Sequence, residues 1–246
     1  MRLVSLGDSF SCGEGVGLQL DLSQTWVGLI AASRSFDWTP LAVAGARTRD
    51  LRAVQLPAAL AARADVATVL VGLNDVVRAG FDPSALANDL RAVVGALRAQ
   101  GCLVLLARLH DPGAVLPLPR SLRRGLAVRV AAVHAAVDAL ATDPGVHVVD
   151  LGALPALRER SAWAADRIHP AATGHRAMAV AAAEVLSAAG IAVTVPALRT
   201  VEAGPSALAQ LRWFVAHGLP WLASHLRSVA LPVLAIAAGV SPRRAP

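Results

Sequence analysis

The sequence predicts an α/β protein: a doubly wound, three-layer α/β/α sandwich around a parallel sheet. Two observations carry this. Short runs rich in Val and Leu recur without polar alternation, as in strands buried on both faces. Between them lie longer stretches with apolar residues at helical spacing, so strand and helix alternate along the chain. In such sheets ligands gather at the carboxyl ends of the strands.

In chain order, residues 2–6 read as the first strand, ended by Gly7-Asp8-Ser9-Phe10 and a glycine-rich loop. Residues 39–43 read as the second strand, leading into Gly45. Residues 50–63 form a helix, with Leu51, Val54 and Leu60 on compatible faces. Residues 66–71 read as the third strand, followed by Gly72-Leu73-Asn74-Asp75. Residues 83–100 repeat Leu86, Leu90, Val93, Val94 and Leu97 and stop at Gly101, a helix with a glycine after its end. Strand 103–109, helix 122–141 and strand 147–149 follow, and then helix 171–189, which runs into Gly190.

From Pro196 the pattern changes to a proline-punctuated tail, so the expected division is a main domain over 1–195 and a helical extension over 196–246. The tail's helical centre, 206–228, carries Trp213, Phe214 and Trp221 beside Arg212 and Arg227. Its aromatics are expected to pack back on the domain; peripheral contact with a membrane surface is the alternative.

Composition narrows the function. The net charge is +6, and every basic residue is Arg. The arginines are scattered and not interleaved with aromatics, so no nucleic-acid partner is expected. Cys12 and Cys102 make no C-x-x-C, the histidines make no H-E-x-x-H, and no metal or cofactor is expected. Gly13, Gly15 and Gly17 do not match the dinucleotide fingerprint, and the chain has no G-x-S-x-G nucleophile elbow. The first residues leave no room for a signal peptide, and the apolar run 229–240, broken by Pro232, is shorter than the about 20 residues that span a bilayer. These features predict a soluble, cytoplasmic protein.

Four stretches fall after strands or in a late loop. Ser9 follows the first strand, where a serine can be a turn residue, a helix cap or a nucleophile. Gly45 follows the second strand, where a backbone N–H can approach a ligand closely. Asn74 offers a side-chain amide after the third. In Asp166-Arg167-Ile168-His169-Pro170 a carboxylate stands three residues before an imidazole and can orient it. Together they supply acyl transfer: Ser9 needs a base, His169; the base needs Asp166; and a tetrahedral oxyanion needs donors, namely the Gly45 N–H, the Asn74 amide and the Ser9 N–H.

In this order, Ser…Gly…Asn…His, the sequence resembles the SGNH superfamily of GDSL-type esterases and lipases, and is most similar to actinobacterial members. The resemblance runs over residues 3–190 on G-D-S-F (7–10), the Gly45 turn, G-L-N-D (72–75) and D-R-I-H-P (166–170). It implies that residues 1–195 are an SGNH hydrolase domain with a flavodoxin-like five-stranded parallel sheet. It further implies Ser9 as nucleophile, His169 as base, Asp166 as its partner, and Gly45 and Asn74 as oxyanion donors. Phe10 replaces the Leu of the name motif and is expected to wall the space beneath Ser9. The expected activity is hydrolysis of a small-molecule acyl ester through an acyl-enzyme on Ser9. Acyl transfer from the same site, or a silent binding protein on the same fold, are the alternatives. His175, Asp8 and Asp75 are assigned to structure rather than chemistry, and the glycines after Ser9 to loop spacing.

Overall fold

A computed structural model describes residues 1–15, 18–116, 118–195, 204–225, 227 and 231–237. In chain order its elements are β1 (Arg2–Gly7), α1 (Ser9–Cys12), β2 (Glu14–Gly15), β3 (Leu18–Gln19), α2 (Trp26–Arg34), β4 (Asp37–Pro40), α3 (Thr48–Asp50) and α4 (Leu56–Ala62). They continue with β5 (Val66–Leu70), α5 (Leu73–Val77), α6 (Pro83–Ala99), β6 (Leu103–Arg108), α7 (Pro112–Val115), α8 (Arg120–Leu140), β7 (Val146–Asp150) and α9 (Ala172–Ala188).

Five strands form one sheet in the order β4-β1-β5-β6-β7, every neighbouring pair parallel. Counting only these strands, the order is 2-1-3-4-5, the flavodoxin-like arrangement. The chain leaves β1 toward one edge, returns from β4 past β1, and then builds outward through β5, β6 and β7. That reversal opens a crevice beyond the carboxyl ends of β1 and β5, where doubly wound sheets bind ligands. α2 packs with α9, while α4, α6 and α8 pack together. β5 is buried along its whole length, and Leu3, Val66, Val104 and Leu105 are inaccessible to solvent, as strands covered on both faces must be.

Two expectations need correction. The second strand is Asp37–Pro40, not 39–43. It is an edge strand with Asp37 and Thr39 in solvent, so its sequence is too polar to read as a buried run. The apolar residues after it still run beside β1, Leu41 and Val43 donating to the carbonyls of Ser5 and Gly7. The helix predicted over 50–63 begins at Thr48 and widens into a π turn over Leu51–Gln55 before α4. That turn puts Leu51, Gln55 and Ala59 on the buried face and leaves Val54 exposed.

Of the tail, α10 (Ala207–Trp213), a second wide turn (Phe214–Gly218) and α11 (Leu219–Ser224) run on without a break, and α12 (Leu231–Ala237) packs against α8. Gly204 lies on the Arg160–Ser161 backbone, and Gln210 accepts a hydrogen bond from Arg167 Nε at 3.1 Å. The aromatics do not all fold back: Trp213 and Trp221 are half-buried and Phe214 is exposed. The expected boundary at 195/196 abuts residues 196–203, which lie outside the described residues, as do parts of the apolar run 229–240. Among the described residues no helix is long and apolar enough to cross a membrane.

Candidate active site

β1 delivers Ser9 to the crevice through a sharp turn. At Gly7, φ is +150° and a Cβ would lie 2.3 Å from the Leu70 carbonyl oxygen, so a side chain is excluded there. Gln55, on the wide turn before α4, grips the same residue from the other side. Its Oε1 accepts from the Gly7 N–H and its Nε2 donates to the Gly7 carbonyl, each at 2.9 Å and buried. Asp8 caps α1 by accepting the Phe10 N–H at 3.1 Å, and Ser9 is the first residue of that helix.

His169 arrives on a tight loop closed at its base by the Trp163–Pro170 bridge and by an Ala164 N–H bond to the His169 carbonyl. Arg167 takes positive φ (57°) at the tip. Asp166 Oδ1 accepts the backbone N–H groups of Ile168 and His169 at 2.9 and 3.0 Å. Its Oδ2 is hydrogen-bonded to His169 Nδ1. The carboxylate is thus held by its own loop, and its side chain is 1% exposed against 18% for the imidazole. On the far side of the ring, His169 Nε2 lies 2.9 Å from Ser9 Oγ. Residues 160 apart in sequence form one hydrogen-bonded chain. A hydroxyl so placed can give its proton to the ring as its oxygen attacks an electrophile, while the buried carboxylate favours the imidazolium.

Asn74 stands on α5, just after β5, and its Nδ2 donates to Asp8 Oδ2 at 3.2 Å. The side-chain amide therefore sits beside the Ser9 turn. Gly45 lies in the loop after β4 with φ of +79°. That loop is tied to β1 by the Val43–Gly7 bond, and to α5 where Thr48 donates its N–H and Oγ1–H to Asp75. Arg78 borders Gly45. Among the described residues the N–H groups of Ser9 and Gly45 donate to no protein acceptor. Each of the three sequence-predicted donors thus follows a different one of three adjacent strands: β4, β1 and β5.

Burial sets the electrostatics. It raises the Asp8 carboxyl to about 6, opposed by the Phe10 N–H, the charge on His169 and the Asn74 amide. Burial also raises Asp75 to about 6, against the two Thr48 hydrogen bonds. Phe10 is buried, with its ring centroid 5.7 Å from His110, 6.3 Å from Trp163 and 6.2 Å from His169. His110, in this apolar setting, is lowered to about 4 by burial.

Three supports escaped the sequence reading. Gln55 carries no motif, and only its polarity on an otherwise apolar helix face hinted at a buried partner. Gly15 is more than a spacer: a Cβ there would lie 2.7 Å from His169 Nδ1, so the β2–β3 hairpin lies against the imidazole. Asp8 was assigned to a turn, yet it joins the helix that starts at Ser9 to Asn74. His175 is structural, as expected; its Nδ1 accepts the Trp26 N–H at 3.2 Å at the start of α2.

A model of the GDSL-like lipase/acylhydrolase family matches residues 5–177, which include all five predicted site residues. Among solved structures, TesA is similar at 25% identity and TM-score 0.60, covering 76% of this chain and 99% of its own. A single-residue variant of Axe2, an acetyl xylan esterase from Geobacillus stearothermophilus, is similar at 20% identity and TM-score 0.58, covering 81% and 97%. The esterase EstA of a Pseudoalteromonas species, inhibited by monoethylphosphonate, is similar at 16% identity and TM-score 0.59, covering 76% and 97%. No curated protein matches the chain.

Proposed function

The chain belongs to the GDSL-like lipase/acylhydrolase family, whose members hydrolyse ester bonds, and from that premise we propose that it cleaves carboxylic esters through an acyl-enzyme on Ser9. Ser9 Oγ attacks the ester carbonyl carbon as His169 Nε2 takes its proton. The oxyanion of the tetrahedral intermediate receives hydrogen bonds from the Ser9 and Gly45 N–H groups and the Asn74 side chain. Collapse expels the alcohol, which His169 protonates. Water, deprotonated by the same ring, then attacks the acyl-enzyme and releases the acid. Asp166 keeps Nδ1 as a donor and stabilises the imidazolium in both halves.

The observation that carries this reading is the 2.9 Å approach of His169 Nε2 to Ser9 Oγ, with Asp166 on Nδ1. Ser9→Ala should fold normally and lose turnover of a short-chain aryl ester by at least about 1,000-fold, together with labelling by a serine-reactive phosphonate. A folded Ser9→Ala protein that keeps wild-type turnover would sink the mechanism.

A further inference from the structure

The tail carries an exposed apolar stripe that the folded domain leaves uncovered. Leu208, Leu211, Val215 and Leu219 are 56, 59, 57 and 48% exposed. Their spacings of three, four and four residues place them along one side of the continuous α10–α11 rod. Exposed apolar side chains so aligned mark a surface that meets something other than water.

Charge decides what that is. From Gly204 to the end of the chain there is no Asp or Glu, while Arg212, Arg227, Arg243 and Arg244 all lie there. Arg212 and Arg227 are exposed, Arg212 on the flank of the stripe. A second copy of the chain is a poor occupant, because a symmetric contact would bring these like charges together. An apolar stripe flanked by arginines, with Trp213, Phe214 and Trp221 on the same rod, matches a helix lying in the headgroup region of an anionic bilayer.

The rod's position gives the match a use. Its Gln210 is hydrogen-bonded to Arg167, the residue at the tip of the loop that holds Asp166 and His169. Ile168, next in that loop, is itself exposed. We propose that the α10–α11 rod docks the protein on anionic phospholipid surfaces, with Leu208, Leu211, Val215 and Leu219 entering the interface and Arg212 and Arg227 meeting lipid phosphates. Docking places the His169 loop at the membrane surface.

Vesicle flotation of the full chain tests this without any turnover, and Ser9→Ala protein should float like wild type, so the result stands apart from the hydrolase reading. The protein should float with vesicles of phosphatidylglycerol and phosphatidylcholine, be released by salt, and stay behind with phosphatidylcholine alone. Leu211→Glu combined with Val215→Glu should abolish flotation while phosphonate labelling of Ser9 persists. Arg212→Gln and Arg227→Gln should each weaken it about 5-fold. The proposal is overturned by failure to float with anionic vesicles or by equal flotation of the double variant. Concentration-dependent self-association that the double variant loses, with no vesicle binding, would likewise overturn it and assign the stripe to a second copy.

Discussion

Asp8, next to Ser9, has both carboxylate oxygens engaged: Oδ1 by the Phe10 N–H and Oδ2 by Asn74 Nδ2. It never faces the reacting atoms in the proposed mechanism, yet it fixes the amide proposed to meet the oxyanion and is therefore a positioning residue. In Asp8→Asn the new amide can still cap α1 through its oxygen, but its NH2 would then face the NH2 of Asn74, donor against donor. Asn74 must turn away, and loss of one oxyanion donor costs about 100- to 1,000-fold. Steady-state kinetics on an aryl ester should show kcat falling by about that factor with KM little changed; a rise in KM at constant kcat would place Asp8 in substrate binding instead.

At the scale of elements, the two halves of the site are held in different ways. The Ser9 turn is clamped from within by Gln55, whereas the His169 loop is braced against the β2–β3 hairpin at Gly15. Gly15→Ala would drive a methyl group into the ring at 2.7 Å from Nδ1, the atom bound to Asp166. Of the hairpin's described residues Glu14 and Gln19 are exposed and Gly15 is half-buried, and none of the three belongs to the buried core. The expected outcome is a fall in kcat of about 10- to 100-fold, since small misplacements of reacting groups cost that much, with a Tm close to wild type. A variant with unchanged kcat would show that the hairpin yields and the ring does not.

For the whole molecule, buried titratable groups set the response to acid. Burial lowers His110 to about 4 and His175 to about 3, from 6.5 in the open chain. Between those values the unfolded chain binds protons that the folded one refuses, so stability falls as pH drops below 6.5. Asp8 and Asp75 act in the opposite sense. Their folded values of about 6 exceed the open-chain 3.8, so the stability they contribute is full below 3.8 and is lost as pH rises through 6. His110→Leu removes one acid-sensitive group from an apolar nest of Phe10 and Trp163. Its Tm should fall less than that of wild type between about pH 7.5 and about pH 5, by the same linkage. Equal falls in a thermal-shift assay would show that His110 takes up its proton in the folded state.

The parallel α/β architecture is legible in the chain alone, because buried strands must be apolar along their length and helices must repeat every 3.6 residues. Ser9, Gly45, Asn74, Asp166 and His169 are singled out by their order along the chain and the family resemblance that order carries, since each alone reads as an ordinary turn residue. Other features exist only once distant segments meet. The polar edge strand Asp37–Pro40 is defined by its partner β1 rather than by its own residues. Gln55, Gly15 and Asp8 matter through atoms of Gly7, His169 and Asn74 that the sequence places far away or leaves unrelated. A periodic pattern reports which face of an element is buried, but not which polar group waits on the other side of the interface, and that pairing is what holds the site in register.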